Sequence, residues 1–160
     1  MSAGSFALHF DHEIDAPRVF VWRAWTEPAQ LTHWYRPDSA WSLRVAEVDL
    51  RESGAYRFGL KPPGRPLFYE VGQFREVRYP QRLVYTMRFE GLHLHELTGE
   101  QMEDYETIIT AAFAEVARDR TRVLVTHDGY RSEHDRARHC DGWPRFLDHL
   151  TIYCTGGAME

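Results

Sequence analysis

The spacing of apolar residues divides this chain into stretches of period two and stretches of period three to four. From Phe6 to Ile14, Phe6, Leu8 and Phe10 alternate with Ala7, His9 and Asp11, the pattern of a half-buried strand. Asp15-Ala16-Pro17 then offers a helix start, with Asp15 placed to cap and Pro17 in the first turn. Val19, Phe20, Trp22, Ala24 and Trp25 give that helix a broad apolar face. Thr26-Glu27-Pro28 breaks it before a second short helix anchored by Leu31 and Trp34, which Pro37 ends. Period two returns at Trp41. Leu43, Val45, Val48 and Leu50 mark a strand with a phase slip near Ala46-Glu47 that predicts a bulge. Tyr56, Phe58 and Leu60 follow a Glu52-Ser53-Gly54 turn, and residues 61–66 (KPPGRP) are a loop. Phe68 to Val77 is a strand interrupted by Gly72, and Leu83, Tyr85, Met87 and Phe89 alternate clearly. Thr107 to Val116 carries Ile109, Ala111 and Phe113 on one face. Val123, Val125 and His127 form the last strand, ended by Asp128-Gly129.

The period then lengthens for good. Cys140, Trp143, Phe146, Leu147, Leu150, Tyr153 and Cys154 fall at steps of three and four, one stripe of a helix read from Arg138 to Cys154. Pro144 places the regular start, or a kink, near Gly142. Residues 131–139 form a polar lead-in. Residues 91–104 (GLHLHELTGEQMED) fit neither period and read as a long acidic loop or a small lid.

The order is therefore strand, two short helices, about six successive strands and a long terminal helix. Hairpin-length connections imply antiparallel pairing, and a run of strands closed by one helix is an α+β arrangement with the helix over one sheet face. A large antiparallel sheet curls, so a helix across its concave side leaves room for a cavity. The alternation turns Tyr56, Phe58, Tyr85, Met87, Phe89, Ile109, Phe113, Val125 and His127 towards Trp143, Phe146, Leu147 and Leu150 of the helix. Such a lining, apolar with a few polar tips, suits a small molecule. The alternative is that these residues simply fill a core.

Composition narrows the classes. At 160 residues the chain reads as one domain, with its core over about 6–155, long enough to bury roughly 70% of its unfolded surface. A formal charge of −5 argues against a general nucleic-acid binder. No apolar run approaches the ~20 residues of a membrane span, and the N-terminus lacks the basic and apolar regions of a secretory signal. On one helix Cys140 and Cys154 would lie about 21 Å apart, beyond disulfide reach. Two reduced thiols fit a cytoplasmic protein.

Specific chemistry is sparse. His127 is the one titratable side chain on the expected inward face, able to accept a ligand hydrogen bond, serve as a base or act as a satisfied structural group. Tyr56, Tyr69 and Tyr85 could orient a carbonyl or phenol. His93-Leu94-His95 would put both rings on one side if extended, and His134 and His139 lie before the last helix. Neither pair has the three or four converging ligands of a zinc site, so no metal is assigned. There is no G-x-S-x-G elbow and no glycine-rich phosphate loop, and no cofactor is implied.

Five segments in order carry a family likeness. They are IDAPRVFVWRAWTEPAQLTHWYRP (14–37), EVDLRESGAYRF (47–58), YPQRLVYT (79–86), DRTRVLVTHDGY (119–130) and DGWPRFLDHL (141–150). Together they resemble the activator of heat-shock ATPase homologue-like (Aha-type) branch of the START-like, or SRPBCC, superfamily. The resemblance implies the helix-grip fold, a curved antiparallel sheet of about seven strands around the C-terminal helix. It departs from the branch at Tyr35, where a second Trp is common, and at Ser53-Gly54-Ala55, where a double Gly is. Its relatives include ligand carriers, cyclases and chaperone-activating domains. The leading expectation is an apolar ligand (aromatic, polyketide-like or lipid-like) in the cavity, with loops 61–66 and 91–104 as gates. A chaperone-partner module and a cyclase- or hydrolase-type enzyme are the alternatives, and monomer and homodimer stay open.

Overall fold

The structure, a computed structural model, describes residues 6–90 and 105–156, with Arg138 by its backbone alone. The elements run β1 (Phe6–Ile14), α1 (Arg18–Thr26), α2 (Pro28–Trp34), β2 (Ser42–Val48), β3 (Ala55–Lys61), β4 (Phe68–Arg78), β5 (Arg82–Glu90), β6 (Thr107–Ala117), β7 (Arg120–Tyr130), α3 (Glu133–Cys140) and α4 (Gly142–Cys154). All seven strands join one antiparallel sheet in the order β1-β7-β6-β5-β4-β3-β2. Strands β2 to β7 form a meander, and β1 closes it at the far edge beside β7. This is the helix-grip architecture, with the helices over the inner face.

The terminal helix is two helices. Pro144 has no N–H to offer the carbonyl of Cys140 four residues back, so the ladder breaks at Asp141 and α4 starts afresh at Gly142. Ser132 caps α3 by accepting from the Asp135 N–H at 3.1 Å. Side-chain bonds pin α4: Trp143 Nε1 donates to His127 Nδ1 (3.0 Å), His12 Nε2 meets Thr151 Oγ1 (2.6 Å), His149 Nδ1 meets the Arg36 carbonyl (2.6 Å) and Tyr153 Oη donates to Gln30 Oε1 (3.4 Å). Trp143, Leu147, Leu150 and Cys154 are its buried stripe.

Two local expectations shift. Asp15 does not cap α1; Pro17 occupies that position and Asp15 pairs instead with Arg120 Nε at 3.0 Å. The irregularity in β2 lies between Leu43 and Val45, earlier than the apolar phase suggested, so that Arg44 is the extra residue. Gly59 explains the place: a Cβ there would lie 2.9 Å from the Val45 Cβ, and its absence lets Val45 sit over the backbone of β3.

Gly72 does not interrupt β4, which runs unbroken from Phe68 to Arg78 and shifts register against β5 only between Phe74 and Glu76. Gly72 and Gln73 pair with Tyr56 and Ala55 of β3, while against β5 one register runs from Val71↔Arg88 to Phe74↔Tyr85 with no direct pair at these two positions. In the gap the Gln73 N–H donates to Thr86 Oγ1 (2.9 Å), and the Thr86 carbonyl turns towards Gly72. The Tyr56 ring crosses the bare Gly72 backbone from β3, and its Oη meets that carbonyl at 2.8 Å. A Cβ at position 72 would fall on the Thr86 carbonyl oxygen and 2.7 Å from Tyr56 Cε1. Gly72→Ala should therefore cost about 3 kcal/mol or more, because backbone rather than a flexible side chain must yield. Urea unfolding checks this, and a loss below about 0.5 kcal/mol would show that the gap can widen freely.

Candidate functional site

The centre of the inner sheet face holds a carboxyl group. Glu70 follows Phe68 at the inward phase of β4 and is 3% exposed. Tyr35, at the C-terminal end of α2, donates to Glu70 Oε1 at 2.7 Å. Tyr56 Oη stands 3.1 Å from Glu70 Oε2 while it also meets Thr86 O. Among the described residues no Lys, Arg or His is bonded to Glu70.

The hydrogen count fits the neutral acid. Three acceptors, Glu70 Oε1, Glu70 Oε2 and Thr86 O, face two tyrosine hydroxyls. If Glu70 is ionised, Tyr56 has one hydrogen for two acceptors, and either its 2.8 Å contact to Thr86 O or its 3.1 Å contact to Glu70 Oε2 is left without one. With a proton on Oε2, Glu70 donates to Tyr56 Oη, Tyr56 to Thr86 O and Tyr35 to Oε1, and every contact is served. Electrostatics agree: burial pushes the Glu70 carboxyl up to about 7, against the two tyrosine hydroxyls that draw it down. Burial, and then the nearby Glu70 charge, raise Tyr35, Tyr56 and Tyr85 above the ordinary tyrosine range, so all three keep their protons.

A second polar cluster joins β7 to α4. His127, 1% exposed, lies with Nε2 2.7 Å from Thr107 Oγ1 and Nδ1 3.0 Å from Trp143 Nε1. The indole N–H can only donate, so Nδ1 is bare and the imidazole hydrogen sits on Nε2, facing Thr107. Tyr130 Oη lies 2.9 Å from His127 Nδ1 and 2.9 Å from His139 Nδ1. Burial, followed by the charge of His139, pushes His127 down to about 3. Its lone pair is occupied by Trp143, so this imidazole orients α4 against the sheet.

Of the residues expected to line the interior, Tyr56, Phe58, Tyr85, Met87, Ile109, Phe113, Val125, His127, Trp143, Leu147 and Leu150 are buried. Phe89 and Phe146 are half-buried at the margin. Rings meet across the layers: Tyr35 lies 4.7 Å from Phe146 and 5.0 Å from Phe58, and Tyr56 lies 4.9 Å from Phe58 and 5.4 Å from Tyr85. Phe113 packs on Trp22 and Trp25 of α1. The Tyr85 hydroxyl accepts from Trp25 Nε1 at 3.2 Å, so it has a structural partner of its own.

Glu70, Tyr35 and Trp25 join this interior without having been singled out in sequence. The signal for Glu70 was its phase, a carboxylate two residues after Phe68 on the face that should be apolar. Tyr35 was visible as the departure from a Trp-Trp pair. The loop 91–104 and the His93/His95 pair lie outside the described residues. Among the described residues no group of three or more His, Cys, Asp or Glu is placed to hold a metal ion. Both thiols are free, and burial pushes the Cys154 thiol up to about 12. No helix among the described residues is long and apolar enough to cross a membrane.

The family model described as Activator of Hsp90 ATPase homolog 1-like protein matches residues 15–155. Solved structures with the same fold include a protein of Nitrosomonas europaea, 23% identical over 94% of each chain with a TM-score of 0.75. The AHSA1-like protein from Aeromonas hydrophila is 23% identical over 94% of this chain and 93% of its own, with a TM-score of 0.75. CalU16 from Micromonospora echinospora is 21% identical over 94% of this chain and 77% of its own, with a TM-score of 0.66. At these identities the likeness is one of fold. No curated protein matches the chain.

The two clusters predict opposite pH behaviour. The folded state keeps the Glu70 proton up to about pH 7, whereas the unfolded chain releases it near the ordinary value of 4.5. Stability from this group is thus full below the ordinary value and is lost as pH rises through about 7. Glu70→Gln mimics the neutral acid, so it should gain stability over wild type across that window, by on the order of 3 kcal/mol at its end. Parallel urea titrations at several pH values check this; a variant less stable than wild type throughout would show that the fold needs the carboxylate. His127 should remain neutral with its hydrogen on Nε2 through the physiological range. Ring nitrogen NMR shifts report the tautomer, and a midpoint near the ordinary imidazole value would refute the assignment.

Proposed function

Since the chain belongs to the Activator of Hsp90 ATPase homolog 1-like family, we propose that it binds an apolar small molecule between the inner sheet face and α4. In this reading the body of the ligand, aromatic, polyketide-like or lipid-like, lies against Phe58, Tyr85, Met87, Phe89, Phe146 and Leu150. The polar end meets Glu70, Tyr35 and Tyr56. The observation that carries the reading is the buried acid. An all-apolar core would be filled at lower cost by a hydrophobic residue at position 70, whereas polar groups set among aromatic rings are the composition of a ligand site.

The way in would run past Phe146, which is half-buried and rests on Tyr35 at 4.7 Å. Rotation of that one ring uncovers the hydroxyl bonded to Glu70. Loop 61–66 borders the same sheet at the end of β3 and serves as the gate on that side. Free thiols at Cys140 and Cys154 accord with a cytoplasmic location.

A second reading, docking to a chaperone or stress partner, draws on the family's description and on the exposed apolar side chains of α1. Phe20 is 45% exposed and Tyr79, whose ring meets Trp22, is 59% exposed.

Native mass spectrometry of gently purified protein, with a thermal-shift screen of aromatic, polyketide and fatty-acid ligands, separates the two. A bound mass, or a melting temperature that climbs with the logarithm of ligand concentration, is the expected result. Phe146→Ala should then speed ligand entry in stopped-flow measurements. Empty protein with no shift from any ligand would move the function to the partner-docking surface.

A further inference from the structure

We infer that the ligand carries a protonated amine, seated with its N–H groups on the oxygens of Glu70, Tyr35 and Tyr56. The inference rests on the small-molecule reading and adds the chemistry of the ligand's polar end. Its basis is what the cluster has left over. All three hydrogens of the resting arrangement, from Glu70, Tyr35 and Tyr56, already serve Glu70 Oε1, Tyr56 Oη and Thr86 O. Within Glu70, Tyr35 and Tyr56 no hydrogen remains for a carbonyl or carboxylate; the neighbouring Tyr85 hydroxyl, which accepts from Trp25, keeps one. Lone pairs do remain, on both Glu70 oxygens and on Tyr35 Oη. The cluster therefore accepts, and it selects a donor.

Among donors the ammonium fits best. It brings three N–H groups and the positive charge that the Glu70 carboxylate lacks among the described residues. The rings of Tyr35, Phe58 and Tyr56, 4.9 to 5.0 Å apart in succession, leave the ammonium no competing solvent. A neutral hydroxyl would gain one bond and no charge compensation.

Proton balance follows. The ammonium arrives with its three hydrogens and keeps them. Glu70 loses its proton to solvent and becomes the carboxylate. Tyr56 keeps its hydrogen on Thr86 O, and an ammonium N–H now serves Oε2. The titratable groups facing Glu70 are Tyr35 from the end of α2, Tyr56 from β3 and Tyr85 from β5, all neutral throughout. The side chains that α1 and α4 add to this cluster, Trp25 and Phe146, do not titrate.

The experiment compares phenylbutylamine, pentylbenzene and phenylbutyrate, which share one apolar body and differ in their end. Calorimetry in two buffers of different ionisation enthalpy, one pH unit below the Glu70 midpoint, reads affinity and proton release together. The expected result is amine binding about tenfold or more tighter than pentylbenzene, with close to one proton released, and phenylbutyrate weakest. In Glu70→Gln the amine preference and the proton release should vanish while pentylbenzene still binds. Equal binding of the three without proton release, or a preference for phenylbutyrate, overturns the amine inference and leaves the apolar site standing. Binding of none of them overturns the small-molecule reading and the inference with it. Proton release is measured on the wild type, so the test stands even if the variant folds poorly.

Discussion

Removing a carboxyl group from water inside a sheet is the constraint around which this interior is arranged. Glu70 is buried on the inward face of β4, where an ionised side chain without a cation costs several kcal/mol. The fold answers by surrounding it with hydroxyls rather than with a lysine or arginine. One hydroxyl comes from Tyr35, which requires α2 to end where it does. The other comes from Tyr56, which can serve Glu70 and the Thr86 carbonyl only because Gly72 leaves the backbone bare beneath its ring. The two positions left unpaired between β4 and β5, the absent side chain at position 72 and the Tyr35 that stands beside Trp34 are parts of one solution.

The His127 cluster applies the same physics to the opposite kind of group. Desolvation disfavours charge, so it raises an acid and lowers a base; Glu70 moves up to about 7 and His127 down to about 3. Each is shifted towards its neutral form, and both tie elements together: Glu70 links α2, β3 and β4, while His127 links β6, β7 and α4. They differ in what remains available. The imidazole has one donor and one lone pair, and Thr107 and Trp143 use both. The carboxyl has lone pairs to spare and a proton it can lose at ordinary pH. A fully satisfied polar cluster fixes structure, whereas one with spare capacity can take part in chemistry.

How far the sequence revealed this differs between fold and site. Strand and helix positions follow from local period, and nearly every strand lies where alternation placed it, because each buries one face. The family resemblance supplied what periodicity lacks, the wrapping of the sheet around the terminal helix. Local errors came where side-chain contacts across elements outrank pattern: Asp15 is drawn to Arg120 on β7, and the bulge in β2 follows Gly59 on β3. The apolar lining was legible for the same reason as the strands. The polar centre was not, since Tyr35, Tyr56, Glu70 and Thr86 are brought together from four separate elements. His127, the residue whose chemistry stood out in sequence, is in the structure the fully engaged one.

Glu70 also separates a site from a core on energetic grounds. At neutral pH the raised carboxyl makes the folded chain less stable than an amide or an apolar side chain there would, since part of the population must ionise in a dry interior. In the proposed small-molecule reading, the ligand that meets Glu70 accounts for that cost. Whatever enters this interior changes the balance only by binding one protonation state of Glu70 better than the other. The direction of that preference, towards the acid or the carboxylate, is therefore the physical quantity that identifies the class of ligand.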